Sequence, residues 1–320
     1  MCRKTFTNLL NDGLKLYHAG KFWEGYELMT KNADRLPRND AQLYDFRASL
    51  ACRTGRPELA LELLTEAVMD KGCWYTQEYL TGDDDIRPAT QLPGFQRLME
   101  VCADRERKAR EESASDLAIV RGAGGGKRPP LIIVLHGNMQ NLPICQEDWL
   151  GAEEQGFDLA FVRSSQLAFS DAFVWNDLEA GARDLDHQLD RLRSEGELDD
   201  RTVIMAGFSA GARMALRAVM TGMVKADGMV LVGPWLPEMG EWASDVQRLG
   251  DRMPGAYIVC GDMDEECLPG ARLLADTLEI SGRPSRLYMP PGVGHDYPEG
   301  FAATLREAVA SIAGAEKGGP

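Results

Sequence analysis

Ser209 stands in Gly207-Phe208-Ser209-Ala210-Gly211, a G-x-S-x-G run in which a serine hydroxyl can act as nucleophile toward a carbonyl carbon. Glycines two residues to either side let the flanking backbone pass closely while the hydroxyl is pushed outward. Ahead of the run, Thr202, Val203, Ile204 and Met205 are apolar and β-branched and read as a buried strand; behind it, Ala212 to Met220 reads as a helix. Strand, turn and helix in that order separate this run from an incidental serine in a tight turn. The start of the helix would aim backbone N–H groups at an oxyanion forming beside the hydroxyl.

A serine hydroxyl is a poor nucleophile until a base removes its proton, and an acid must orient that base. Of the four histidines only His295 follows Ser209, in the glycine-lined loop Gly292-Val293-Gly294-His295-Asp296-Tyr297-Pro298. His136 precedes the serine and reads as a loop-packing residue. Two acids, Asp262 and Asp264, follow a strand that ends at Cys260, and both are open as the orienting acid. Asp264 is preferred, because an acid a few residues past the strand can curl under the imidazole, whereas Asp262 is better placed to cap the loop. For the oxyanion, Ala210 N–H is one donor, and Asn138, rather than Met139, is the expected second. Met139, Trp175 and Trp235 are candidates for lining a substrate pocket, although a tryptophan opening a helix also serves as a packing anchor.

The elements that must carry these groups alternate. From Leu131 onward, apolar runs at Leu131–Leu135, Phe157–Val162, Thr202–Met205, Met229–Val232, Tyr257–Cys260 and Arg286–Met289 are separated by helical stretches at Leu178–Arg193, Ala271–Ile280 and Phe301–Ile312. This pattern predicts an α/β fold with a mostly parallel sheet covered on both faces. Leu117–Val120 reads as a first strand. Pro234 to Gly255 leaves little room for a large lid, and the Gly/Pro-rich end should fray. Residues 1–112 read as an all-helical domain and 113–320 as the α/β domain that bears the candidate site.

In the first part, Leu9, Leu10, Leu14, Leu16 and Tyr17 keep helical spacing before Ala19-Gly20, and Phe22–Ala33 runs to a stop at Leu36-Pro37. A second helical pair, Ala41–Arg53 and Glu58–Met69, is broken at Thr54-Gly55-Arg56-Pro57. Gly20 and Gly55, like Gly25 and Ala60, lie 35 residues apart. Asp83-Asp84-Asp85 reads as a solvated turn rather than a calcium loop, lacking spaced oxygen ligands. Pro93–Arg110 reads as a further helix with Phe95, Leu98, Met99 and Cys102 as its buried stripe.

The chain of 320 residues carries 35 Lys+Arg against 50 Asp+Glu, a net charge of −15. Residues 113–320 hold 18 Lys+Arg against 31 Asp+Glu, so most of the acidity sits in the later part. Such a surface repels phosphate backbones and anionic membranes, which argues against nucleic acid as a partner. No apolar run has the roughly 18 residues of a membrane span, and no secretory signal is evident. Seven dispersed cysteines without C-x-x-C favour reduced thiols in a cytoplasmic protein over disulfides or a zinc site. Gly122–Arg128 (GAGGGKR) is a turn; Arg128-Pro129-Pro130 stands where a phosphate loop needs Ser or Thr and a helix. No metal and no cofactor are expected.

The strings LHGN, RSSQ (163–166), Trp175-Asn176-Asp177, GFSAGA, GDMDEEC and GHDYP together resemble the phospholipase/carboxylesterase branch of the α/β-hydrolase superfamily, over about residues 115–312. The resemblance implies an α/β-hydrolase fold and a serine hydrolase of carboxylic esters or thioesters, with the triad on Ser209, Asp264 and His295. Ala210 replaces the usual glutamine, and Asn138-Met139-Gln140-Asn141 replaces a glycine-rich oxyanion loop. Both departures bear on substrate preference and leave the backbone donors in place. The first third resembles tetratricopeptide repeats: Gly13, Gly20, Phe22, Gly25 and Pro37 in one unit, Tyr44, Ala48, Gly55, Ala60 and Ala67 in the next, with departures at Asn32 and Pro57. That likeness implies a surface for a protein partner or for self-association. Three uses of the chain follow: an esterase acting on a small-molecule ester, an interaction module with a docked non-catalytic hydrolase domain, or a serine peptidase sharing the triad.

Overall fold

The computed structural model describes residues 5–32, 39–123 and 128–315, the side chains of 313–315 apart. The helix stop at Leu36-Pro37, the centre of the GAGGGKR turn, Cys2 and the Gly/Pro-rich end lie outside the described residues.

Helices fill the first part: α1 (Phe6–His18), α2 (Phe22–Asn32), α3 (Asp40–Arg53), α4 (Pro57–Thr65) with a π-helical turn at Glu66–Asp70, α5 (Gln77–Gly82), α6 (Arg87–Thr90) and α7 (Phe95–Glu112). Helix α2 packs against both α1 and α3, and α3 against α4. The stripe expected on α7 is its buried face, Phe95, Leu98, Met99 and Cys102. Helices α5 and α6 are too short to show a hydrophobic period and were not expected. The aspartates at 83–85 do more than face water: Asp83 accepts from Ser49 Oγ at 3.2 Å and Asp85 from Tyr17 Oη at 2.6 Å, tying the turn to α3 and α1.

The second part runs β1 (Asp116–Val120), β2 (Leu131–Leu135), α8 (Leu142–Asp148), β3 (Asp158–Arg163), β4 (Leu167–Phe169), β5 (Ala172–Phe173), α9 (Leu178–Ser194), β6 (Val203–Phe208), α10 (Ala210–Met220), β7 (Gly228–Val232), α11 (Met239–Leu249), β8 (Gly255–Val259), α12 (Leu268–Ile280), β9 (Ser285–Tyr288) and α13 (Phe301–Ala315). Seven strands form one sheet in the order β1-β3-β2-β6-β7-β8-β9, parallel except for β1, which pairs antiparallel with β3.

Burial on both faces explains why the central strands are apolar throughout rather than alternating. Along β2, Leu131, Ile133 and Leu135 enter the cluster under α9–α12, while Ile132 and Val134 enter the one under α8 and α13. Along β6, Val203 and Met205 face the first cluster, and Ile204, Ala206 and Phe208 the second. Each fully buried side chain of this kind stabilises the fold by about 1.5–3 kcal/mol.

The hairpin β4–β5 reaches into the helical part. Phe169 and Ala172 are buried in the same cluster as Tyr75 and Leu98, Ser170 N donates to Trp74 O at 3.0 Å, and Asn39 Nδ2 donates to Ser170 O at 3.0 Å. Among the described residues no helix is long and apolar enough to cross a membrane.

Candidate active site

Ser209 occupies the bend between β6 and α10 with φ +54° and ψ −121°, a conformation a side-chain-bearing residue rarely adopts. The two glycines make the bend possible. A methyl carbon at Gly207 would lie 2.6 Å from Gly211 C, and one at Gly211 would lie 2.3 Å from both Leu135 O and His136 O. Helix α10 therefore starts against the end of β2, and the loop that follows β2 comes beside the serine. Ser209 N donates to Val232 O at 2.9 Å, fixing the bend to the end of β7.

His295 meets the same strand end from the other side. Its ring lies against Gly233, where a methyl carbon would sit 3.2 Å from Cε1 and Nδ1, and its centroid is 4.7 Å from that of Phe208, next to Ser209. Phe208 also stacks on Tyr297 at 4.8 Å. Ser209 and the imidazole thus approach each other through Gly233 and Phe208, and no hydrogen bond joins the two side chains. Such bonds commonly tighten only when substrate is bound.

The loop after β8 carries both candidate acids. Asp264 Oδ2 is 2.7 Å from His295 Nδ1, and its Oδ1 accepts from Cys267 N at 3.1 Å. Burial pushes the Asp264 carboxyl up, but the hydrogen bond and charge of His295 and the donors at Cys267 outweigh it and hold it below its ordinary value. An ionised Asp264 keeps the proton on Nδ1 and leaves Nε2 as the basic nitrogen. Asp262 points elsewhere, its Oδ1 accepting from Gly292 N at 2.6 Å.

The loop after β2 has four backbone donors in sequence. Gly137 N donates to Gln140 Oε1 at 2.7 Å, Met139 N to Phe173 O at 2.8 Å, and Gln140 N to Gly137 O at 3.2 Å. Among the described residues, Asn138 N has no such acceptor, which leaves it and Ala210 N, in the first turn of α10, as the donors available beside Ser209. The Asn138 side chain anchors the loop: Oδ1 accepts from Trp175 N at 2.9 Å and Nδ2 donates to Asn176 Oδ1 at 2.8 Å.

His136 is fully buried, with Nδ1 2.7 Å from Gly137 O and Nε2 accepting from Ser164 N at 3.2 Å. Burial lowers its pKa to about 4, so it is a neutral part of the loop's frame. The expectation that Trp175 lines a pocket is corrected: its indole is wholly buried, and Nε1 donates to His136 O at 3.0 Å. It packs because the loop carbonyl needs a buried donor there. Met139 is half-buried, at φ +65°, and packs toward the helical part. Trp235, also half-buried, donates from its backbone N to Ser209 O at 3.3 Å and from Nε1 to Glu266 at 3.0 Å. Asp177 caps α9, accepting from Glu179 N and Ala180 N.

Cys267 was not singled out in the sequence, yet its Sγ lies 3.5 Å from His295 Nδ1. Asp264, Cys267 and His295 are the one group of metal-ligating types gathered among the described residues. Within that group Asp264 and His295 are joined directly by the 2.7 Å hydrogen bond. Burial, first, and the Asp264 charge push the Cys267 thiol well up, so it stands there as a thiol. The six described cysteines are all buried and unpaired.

Residues 5–110 match the family model described as "A/B hydrolase-like, N-terminal domain". The crystal structure of an uncharacterized protein from Bacillus cereus is 34% identical over 98% of this chain and 100% of that one, with a TM-score of 0.55. The structure of esterase PE8 is similar over 62% of this chain and 99% of its own, at 16% identity and a TM-score of 0.51, a likeness of fold. No curated protein matches the sequence.

Proposed function

Because the chain belongs to the α/β-hydrolase family, we propose that it is a serine esterase, hydrolysing carboxylic esters or thioesters through Ser209, His295 and Asp264. One observation carries the reading: a strained serine at the carboxyl end of β6 shares the end of β7 with an imidazole whose Nδ1 is held by a buried carboxylate. His295 Nε2 takes the Ser209 proton as Oγ attacks the ester carbon. The developing oxyanion is met by Ala210 N–H and Asn138 N–H. Collapse releases the alcohol or thiol, which leaves with the proton from His295, and an acyl-serine remains. Water, activated by the same Nε2, then hydrolyses it. The esterase named among the similar folds carries the same class of activity, in support of this reading.

The test is hydrolysis of p-nitrophenyl acetate by the wild type and by Ser209→Ala, with fluorophosphonate labelling in parallel. A fall in kcat of several orders of magnitude and loss of the label are expected. Turnover that persists unchanged in Ser209→Ala refutes the assignment.

A further inference from the structure

We propose that helix α1, at the start of the helical part, is a positioning element of the active site, holding both the His295 loop and the oxyanion loop through Asn8, Asn11 and Thr7. This deepens the serine-hydrolase reading and rests on it.

Residues 7, 8 and 11 of one helix share a face, because positions three and four apart lie one above the other. On α1 that face is turned to the hydrolase part. Asn11 Nδ2 donates to the carbonyl oxygen of His295 itself at 3.1 Å. Asn8 Nδ2 donates to both carboxylate oxygens of Asp296, the next residue, at 3.1 and 3.2 Å. The other end of the Asn8 amide is fixed as well: Oδ1 accepts from Thr5 N at 3.2 Å, and Asn8 N donates to Thr5 Oγ1 at 3.2 Å, closing the capping box of α1. A side chain pinned at both ends makes a defined strut between the helix start and the loop.

The second grip reaches the oxyanion loop. Thr7 Oγ1 donates to the buried Asp148 Oδ2 at 2.7 Å, and Gln140 Nε2 donates to Thr7 Oγ1 at 3.1 Å and to Asp148 Oδ2 at 2.9 Å. The remaining amide oxygen of Gln140 accepts from Gly137 N. Thr7, Asp148 and Gln140 therefore set the carbonyl–amide path on which Asn138 N sits. Helix α1 cannot drift from this task, because Phe6 and Leu9 are buried in one cluster with Met29, Leu43 and Leu50 of the helical part and Ile144 of α8. A single rigid helix thus references the base, whose loop lies 284 residues further along the chain than Asn11, to an oxyanion donor.

The experiment measures kcat and KM for p-nitrophenyl acetate in the full-length chain carrying Asn8→Ala, Asn11→Ala or both, with Lys15→Ala, an exposed residue one turn further along α1 whose ammonium pairs with Asp12 of the same helix, as control. Each hydrogen bond, at about 1 kcal/mol, corresponds to about a fivefold lower kcat, and the pair to about 25-fold, with KM within about twofold. Lys15→Ala keeps wild-type kcat. A purely structural role would lower the unfolding midpoint and leave the kcat of the folded fraction alone. The Asn11 contact is exposed, so Asn11→Ala remains folded and decides the matter even where the double variant does not fold. An active wild type with unchanged kcat in folded Asn11→Ala overturns the positioning role alone. A wild type without Ser209-dependent turnover overturns the hydrolase reading and this inference together.

Discussion

Replacing Gly211 by alanine places a methyl carbon 2.3 Å from two backbone oxygens, Leu135 O and His136 O. Ordinary contact begins near 3.4 Å, so the end of β2 and the start of α10 must separate by about 1 Å. Neither oxygen can swing aside as the tip of a flexible side chain could. Overpacking of this kind costs about 1–3 kcal/mol, offset by up to about 1 kcal/mol from the better helix propensity of alanine, for a net loss of about 2 kcal/mol. The separation also pulls Asn138 N away from Ala210 N, and a 1 Å misplacement of catalytic groups is worth about a 100-fold loss of rate. Gly240, in α11, is the matched control, since nothing lies within 4 Å of a methyl carbon there. Gly240→Ala should gain up to about 1 kcal/mol and keep full activity. Urea unfolding midpoints and ester kcat, measured on both variants, make the comparison. A Gly211→Ala protein within about 0.5 kcal/mol of wild type and equally active would refute the packing argument.

Two further outcomes are expected. Asp264→Asn removes the carboxylate that fixes the His295 tautomer and should lower kcat by about 10²–10⁴-fold, whereas Asp262→Asn, on the Gly292 side of the loop, should cost less than about tenfold; steady-state kinetics that reverse this ranking would reassign the acid. Asp45 is held up at about 7, by burial first, against the lowering hydrogen bond from Tyr79 and with the help of the Asp83 charge. Its folded value lies above its ordinary 3.8, so its stabilising contribution is complete below about pH 4 and disappears as pH rises through about 7. The melting temperature of wild type minus that of Asp45→Asn should therefore fall between pH 4 and 7 and be flat above. A difference independent of pH would show that Asp45 does not titrate there.

Much of the fold was legible because its strands are buried on both faces and so announce themselves as unbroken apolar runs. The serine bend, β2, β6, β7 and the stripe of α7 all carry such local signatures. The hairpin β4–β5 does not, with strands of three and two residues that owe their pairing to the helices they enter. Helices α8 and α11 were also unforeseen, α8 being only seven residues long. At the site, chain order pointed to His295, and the choice between Asp262 and Asp264 needed three dimensions. For Trp175 a pocket role and a packing role both stayed open, because a tryptophan beside polar residues looks the same in sequence whether its indole faces a cleft or a buried carbonyl. The contacts of Asn8 and Asn11 were invisible, since nothing in an asparagine names a partner so far along the chain.

The β4–β5 hairpin also governs how the molecule can be dissected. Phe169 and Ala172 are interior residues only while Tyr75, Tyr79 and Leu98 surround them. Severing the polypeptide after residue 112 would strip that wrapping and present a raw greasy tooth to solvent, inviting fragments to clump through it. An inert excised fragment would then report on its own precipitation, not on what the helices contribute to turnover, which is why point changes along α1 are the sounder instrument.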